Sequence, residues 1–325
     1  MINKNKILFI DGPPRSGKSA LCQTVVALKN MEHVDLCYDF EYIFAGLVKK
    51  KIDLTFAKEF INSHFSRYTF DKILGRNINL RKDDFSGIYN FYNPKLYLDR
   101  LKQSEFKRYH YAKSTKQNKN DYVLKELNSS LKYFPFQSHY LLENFNILKK
   151  LNLNFKLIRL SRHPIDIIYS QIKRGRGKII GNKKYQYYRN ATYNLKKKSI
   201  FIPWFVDIAE RKYINFAETE RIVYTTIQNL EKLEKIKTDK RVIIIDFDKL
   251  CTNPNNEFKK ICRFLSVKSQ KNLSGYLVRS NLPRKIDYHE RKKKYKFILK
   301  NTKSLKLKKK LNDKIYKFEI NQNLK

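Results

Sequence analysis

Gly12-Pro-Pro-Arg-Ser-Gly-Lys-Ser19 is the stretch best equipped for chemistry. An apolar run, Lys6 to Asp11, precedes it, and a segment of helical pattern, Ala20 to Lys29, follows, which predicts a strand, a phosphate loop and a helix. In such a turn the glycines permit tight backbone geometry, successive N–H groups converge on an anion, and the helix N-terminus adds partial positive charge. The expected ligand carries phosphate or sulfate. A second constellation is Leu157-Ile-Arg-Leu-Ser-Arg162-His-Pro-Ile-Asp166-Ile-Ile-Tyr-Ser170, where a buried strand ends in an arginine and a helix begins. Pro164 suits the first helical position, Asp166 lies in the first turn as a helix-dipole partner, and Ser170 comes about two turns in. His163 reads as a helix-start residue. An arginine fork matches the geometry of phosphate, so Arg162 and Ser170 together suit a second anionic group.

The elements that must position these residues are legible as short apolar runs at Val34–Tyr38, Tyr133–Phe136, Phe155–Ser161 and Val242–Asp246, separated by segments of helical period. That alternation is an α/β pattern. Runs apolar on both faces suit central parallel strands, whose carboxyl ends carry the active-site groups. The expected fold is a parallel sheet flanked by helices, of the P-loop nucleotide-binding type, in a single domain over 1–325. An inserted helical, Tyr-rich lid is expected over 52–130, with Lys113 to Asp121 a mobile loop within it. A basic helical tail is expected over 284–325, since Phe297, Leu299, Leu305, Leu307, Leu311, Ile315 and Phe318 fall at helical spacing.

With 70 basic and 30 acidic residues the formal charge is +40. Such a balance suggests nucleic acid, an anionic membrane surface or an acidic substrate. Codon bias in an AT-rich genome would produce the same excess, because Lys, Asn, Ile, Tyr and Phe are abundant while Gly and Pro number only 9 and 8. The basic residues are spread along the whole chain, without paired zinc ligands or a glycine-aromatic RNA-binding motif, so a nucleic-acid-binding protein is the least favoured class. Cys22, Cys37, Cys251 and Cys262 show no CxxC spacing and read as buried free thiols. His33, His64, His110 and His289 lack ligand spacing, and no metal is expected. No segment approaches the roughly 20 apolar residues of a membrane span, and the first strand starts too early to leave room for a signal peptide. A cytoplasmic, reducing location is the expectation.

Two nucleotide classes compete for the loop. Gly12–Ser19 satisfies GxxxxGK[ST], the Walker A signature of nucleotide triphosphatases, and Asp246 at the end of Val242–Asp246 would then hold magnesium in a kinase using ATP. The Pro-Arg-Ser-Gly core instead resembles the loop by which sulfotransferases hold 3′-phosphoadenosine 5′-phosphosulfate (PAPS). Arg162, Asp166 and Ser170, spaced RxxxDxxxS after a strand, are similar to the motif in which that family binds the 3′-phosphate, a group ATP lacks. Val242-Ile-Ile-Ile-Asp-Phe-Asp-Lys-Leu250 with Asn253-Pro254 and the helix from Glu257 to Phe264-Leu265 resembles a third family segment. The resemblance runs from Ile7 to about Leu265 and is densest at the first two motifs.

That resemblance implies in-line transfer of a sulfuryl group from PAPS to a hydroxyl or amine, without a metal. Arg15 matches the loop lysine or arginine that touches the 5′-phosphosulfate; Pro14, Ser16, Gly17, Lys18, Ser19 and Ala20 complete the cradle. Lys18 stands where the family usually has Thr or Ser. Arg284 and Lys285, after Asn281-Leu-Pro283, occupy a place comparable to the basic segment that closes over the 3′-phosphate. Two residues compete as base. Ser138-His139, 23 residues before Arg162, is similar to the Thr-His of cytosolic sulfotransferases, and a neutral imidazole suits the task near pH 7. Glu41 resembles the catalytic glutamate of the tyrosylprotein and heparan-type enzymes. Both have structural alternatives: a capping or core histidine, and a glutamate in the first turn of a helix N-capped by Asp39. Lys173-Arg-Gly-Arg-Gly-Lys178 reads as a mobile basic loop suited to an anionic acceptor such as a charged polysaccharide, and tyrosines of the insertion suit stacking on sugar rings. The acceptor itself is not legible.

Overall fold

In the computed structural model, five parallel strands lie side by side in the order β2-β3-β1-β4-β7. They are β1 (Lys6–Asp11), β2 (Asp35–Leu36), β3 (Tyr133–Gln137), β4 (Phe155–Ser161) and β7 (Val242–Asp246). The structure describes residues 6–36, 38–76, 78–82, 86–90, 94–111, 132–178, 192–195, 198–207, 210–236, 238–269 and 273–323. β1 is central, with Ile10 registered against Gln137 of β3 on one side and Ile158 of β4 on the other. Leu8, Phe9 and Ile10 are accordingly buried on both faces of the sheet. A separate antiparallel hairpin joins β5 (Thr192–Leu195) and β6 (Lys198–Pro203).

Helices fill both faces. On one, α2 (Tyr38–Val48) and α3 (Leu54–Ile73) bury Phe40, Phe44, Ile61 and Phe65 against Phe9, Phe136 and Phe155, together with α5 (Phe145–Lys150). On the other, α1 (Lys18–Val25), α9 (Phe247–Thr252), α10 (Pro254–Leu265) and α11 (Leu273–Arg279) enclose Leu8, Ile10, Ile158 and Ile245. α4 (Pro94–Tyr111) lies between α3 and β3 in sequence, and α6 (Pro164–Ile172) follows β4. α7 (Glu210–Asn215) and α8 (Glu218–Glu234) follow the hairpin, and α12 (Tyr288–Lys300) and α13 (Leu305–Asn323) end the described chain. A third core cluster ties α6, α8, α12 and α13 together through Ile168, Val223, Ile298 and Leu311.

Several boundaries differ from expectation. The strand expected over Val34–Tyr38 is only Asp35–Leu36, because α2 has begun by Tyr38. The helix after the loop is Lys18–Val25, ending before Lys29, whose N–H bonds to Lys268 O instead of continuing the helix. Within 52–130, α3 packs on the sheet through Ala57, Ile61 and Phe65; Lys113 to Asp121 lies outside the described residues. The basic tail is two helices, broken at Asn301–Ser304, where Glu220 Oε1 accepts the backbone N–H groups of Lys303 and Ser304 at 3.0 and 2.8 Å. Cys22 and Cys251 are buried free thiols and Cys262 is a half-buried one, whereas Cys37 lies outside the described residues. Among the described residues no helix is long and apolar enough to cross a membrane.

Candidate active site

The loop between β1 and α1 sits at the carboxyl end of the central strand, with β4 beside it. Gly17 has φ 97°, and a Cβ built there would lie 2.1 Å from Phe247 Cε2. Glycine is therefore demanded twice, by the left-handed backbone and by the ring that seats against it. Arg15 also has positive φ, 69°, a conformation that costs a non-glycine residue about 1–2 kcal/mol. The backbone turn exposes the Arg15 side chain while Pro14 and Ser16 beside it are buried; Ser19 is exposed and Ala20 half-buried.

The residues expected to hold anions are joined in one chain of hydrogen bonds. Arg15 Nε donates to Ser170 Oγ at 2.8 Å, and Arg162 Nη1 donates to Arg15 O at 2.9 Å. Arg162 Cζ lies 4.7 Å from the centroid of the Phe247 ring, and Arg284 Cζ lies 5.1 Å from the same centroid. Arg284 is anchored by its backbone N–H to Cys251 O at 2.8 Å; Lys285 is exposed. Burial pulls the Arg162 guanidinium below its usual range, a pull that Asp166 and Asp248 oppose and Arg284 reinforces. Burial and then Arg174 act the same way on Arg15. Crowded, partly desolvated cations of this kind are stabilised by an incoming anion. The side chains fit one: Ser16 Oγ and Arg162 Nε are buried without a hydrogen-bond partner among the described residues, a condition that costs each group about 1–3 kcal/mol and that phosphate oxygens would relieve.

The two candidate bases are one unit. His139, just past β3, and Glu41, in the first turn of α2, face each other with Nδ1 and Oε1 2.8 Å apart. An ionised carboxylate only accepts, so His139 Nδ1 carries the proton and Nε2 is left as the basic nitrogen. Glu41 is buried and the His139 side chain is 13% exposed. Asp39 is the second residue of α2, not its N-cap. Burial, followed by the Lys18 charge, holds the His139 pKa below its ordinary value of 6.5, although Glu41 raises it. The imidazole is therefore neutral at pH 7.

Lys18 is turned inward. Its Nζ donates to Gly12 O at 2.7 Å and to Pro13 O at 2.9 Å, so it braces the loop from beneath. Burial lowers its pKa to about 7, against the opposing pull of Asp11. Asp11 ends β1 in a buried network: it accepts from Leu141 N and Leu142 N, both at 3.1 Å, and from Arg159 Nη1 at 3.0 Å. Burial would raise the Asp11 carboxyl, but Arg159 and the two backbone donors outweigh it and hold it low. Arg159 reaches on to Glu143, at 2.5 Å from Nη2. The network fixes the turn that carries His139 onto the end of β1.

Asp166 is an ion-pair centre as well as a first-turn acid, accepting from Arg291 Nε and Nη2 at 3.0 and 2.8 Å and from Lys294 Nζ at 3.2 Å. His163 starts α6 as expected, its Nδ1 accepting from Ile165 N at 3.3 Å. Asp246 caps α9, accepting from Lys249 N at 2.9 Å, and its strand is separated from β1 by β4. Lys173 to Lys178 is a hydrogen-bonded turn, with Arg221 Nη1 donating to Gly177 O at 2.8 Å. Phe247 and Arg291 are the residues that motif reading missed. An aromatic directly after the strand end is a signal for the first; the second acts across 125 positions and leaves no local trace.

A family model described as "Sulfotransferase domain" matches residues 6–322. Among solved structures, the chain is similar to the sulfotransferase domain from the curacin biosynthetic pathway, at 17% identity over 83% of this chain and 76% of that one, with a TM-score of 0.40. It is similar also to the sulfotransferase domain from the Synechococcus PCC 7002 olefin synthase, at 18% identity over 84% and 77%, with a TM-score of 0.38. A third is sulfotransferase STF9 from Mycobacterium avium, at 10% identity over 93% and 78%, with a TM-score of 0.37. No curated protein matches.

Proposed function

Because the chain belongs to the sulfotransferase domain family, we propose that it moves a sulfuryl group from PAPS to a hydroxyl or amine of an acceptor, a glycan hydroxyl being the acceptor we favour. The observation that carries the donor assignment is the hydrogen-bonded chain Arg162–Arg15–Ser170 beside the loop. PAPS, when bound, supplies the sulfuryl group and a phosphate leaving group. Loop residues Pro14, Ser16, Gly17, Ser19 and Ala20 form the cradle for its 5′ end, and Arg15 neutralises charge as it develops on the leaving oxygen. Arg162 and Ser170 hold the 3′-phosphate, with Arg284 and Lys285 on its far side. Lys18, tied to the carbonyls of Gly12 and Pro13, keeps the loop in shape.

Proton transfer falls to the histidine and glutamate acting together. His139 Nε2 takes the acceptor's proton while Glu41 holds Nδ1, fixing the tautomer and stabilising the imidazolium that forms. Residues 1–325 act as one catalytic domain, with 52–130 and 284–325 as its helical additions, in a reducing cytoplasm. The free thiols of Cys22, Cys251 and Cys262 support that compartment.

The test is turnover: purified protein, PAPS and a panel of neutral and acidic oligosaccharides, with release of adenosine 3′,5′-bisphosphate followed by chromatography. Acceptor-dependent release is expected, and it should vanish in Arg15→Ala. Acceptor-dependent formation of ADP from ATP and magnesium, with no bisphosphate released from PAPS, would overturn the reading.

A further inference from the structure

The basic excess of this chain is not evenly compensated on its surface. On α13 three lysines are paired, Lys310 with Glu231, Lys314 with Glu234 and Lys317 with Asp313, whereas Lys306, Lys308 and Lys309 make no ion pair among the described residues. On α12 Lys294 pairs with Asp166. Lys293, Lys296 and Lys300 are exposed and make no ion pair among the described residues. Their spacing sets them along one stripe with Phe297, itself 38% exposed. Glu290 lies on the same stripe one to two turns earlier, and Asp287, the N-cap of α12, interacts by charge with Lys293.

The stripe leads to the mouth of the site. Phe297 packs edge-on against Tyr169 of α6, ring centroids 5.6 Å apart, and Lys173 Nζ lies 5.5 Å from the Tyr169 centroid and 6.0 Å from that of Phe297. Lys173 opens the turn that carries Arg174 and Lys178, all three exposed. Arg174 stands close enough to Arg15 to depress its ionisation, and Arg15 is bonded to Ser170. The turn is held by hydrogen bonds. Gly177 is buried with its carbonyl held by Arg221, and a Cβ there would lie 2.2 Å from Glu218 O. A row of cations interleaved with aromatic faces thus runs from Arg15 through Arg174, Lys173 and Phe297 to Lys293 and Lys300.

We propose that this ridge of α6 and α12 is a docking track for an extended polyanion, so that the acceptor is a chain bearing repeated negative charges, such as an acidic oligosaccharide. The inference rests on the sulfuryl-transfer reading for what happens at the mouth, but the track is tested by binding alone. Cations spaced along a ridge match a chain of charges better than one small anion, and exposed rings between them suit sugar faces. The hydrogen bonds that hold the turn reduce the ordering required on binding.

The probe is a fluorescent sulfated dextran oligosaccharide, titrated by anisotropy over a range of salt. Wild type should bind, with affinity rising with chain length. Lys293→Gln/Lys296→Gln/Lys300→Gln should weaken it about tenfold or more at physiological salt and reduce the slope of log affinity against log salt by roughly two to three. A control with the same charge loss, Lys50→Gln/Lys51→Gln/Lys150→Gln, uses exposed lysines after α2 and at the end of α5 and should stay within twofold. Equal losses in the two triple variants, or none in the first, would overturn the track. So would tighter binding of single-stranded DNA or of phosphatidylserine vesicles that depends on the same lysines. Adenosine 3′,5′-bisphosphate should bind all three proteins alike; failure to bind even wild type would count against sulfuryl transfer and not against the track.

Discussion

His139 Nδ1 and Glu41 Oε1 lie 2.8 Å apart although 98 positions separate them in the chain. Motif reading treats these residues as rival bases, but the fold makes them partners. The pH dependence of turnover follows from the pair. With its pKa held below 6.5 by burial and by Lys18, His139 should be active as a base above that value, so the rate should rise with pH through a limb lying below 6.5 and then level. His139→Ala should lose the limb together with about 10²–10⁴-fold in kcat. Glu41→Gln removes a charge that raises the His139 pKa, so the limb should move to lower pH while kcat falls. An unchanged limb in His139→Ala, with turnover gone in Glu41→Gln, would make the glutamate the base.

Arg15 and Lys18 should part company kinetically. Arg15→Ala should lower kcat by about 10²-fold or more with a smaller effect on bisphosphate binding, as expected for a group acting on transition-state charge. Lys18→Met should cost less, since Lys18 contacts the loop's own carbonyls. The reverse order is the kinase pattern, in which that lysine clamps the β- and γ-phosphates.

Lys18 also predicts a pH dependence of stability. The folded protein releases the Lys18 proton at about 7, whereas the unfolded chain keeps it to about 10.5. The unfolded state binds more protons between those values, so this residue makes folded stability rise with pH from about 7 to about 10.5, and below 7 the full penalty of burying the charge is present. Urea melts should find the stability of Lys18→Met relative to wild type greatest below pH 7 and declining steadily toward pH 10.5. A difference independent of pH contradicts the buried ammonium.

Much of this arrangement is legible in the chain because it is local. The loop between Asp11 and Lys18, the Pro164 helix start and the two-sided apolar run Phe155–Ser161 each declare themselves within a dozen residues, and β4 has the bounds its pattern gives. What sequence patterns miss are contacts made across the fold. Arg291 against Asp166, Glu220 breaking the C-terminal helix at Lys303, and Phe247 filling the space over Gly17 depend on tertiary proximity that no spacing encodes. β2 is shorter than its pattern for a related reason: Val34–Tyr38 is apolar enough for a strand, but α2 claims its last residue.

Gly17 gives a test of the loop's packing. Gly17→Ala should destroy tight bisphosphate binding, because the new methyl meets Phe247 and the left-handed backbone is strained. Adding Phe247→Ala should relieve only the collision and so recover binding in part. Full recovery in the double variant would mean that the backbone conformation is unimportant.

Arg159→Met tests the buried network behind the turn of His139. It leaves Asp11 and Glu143 without their shared cation, and unfolding in urea should report a loss of about 3–5 kcal/mol. A loss below about 1 kcal/mol would contradict the network's role in holding the turn.

The central claim is that the loop, Arg162 and Ser170 together read the 3′-phosphate of PAPS. Calorimetric titration of adenosine 3′,5′-bisphosphate, set beside ATP with magnesium, tests it most directly. Tight binding of the bisphosphate is predicted, weakened by roughly 2–4 kcal/mol in Arg162→Ala and 1–2 kcal/mol in Ser170→Ala because charge-assisted bonds to phosphate exceed neutral ones, with ATP weak throughout. Tight binding of ATP and magnesium alone, or a bisphosphate affinity indifferent to both substitutions, would contradict it.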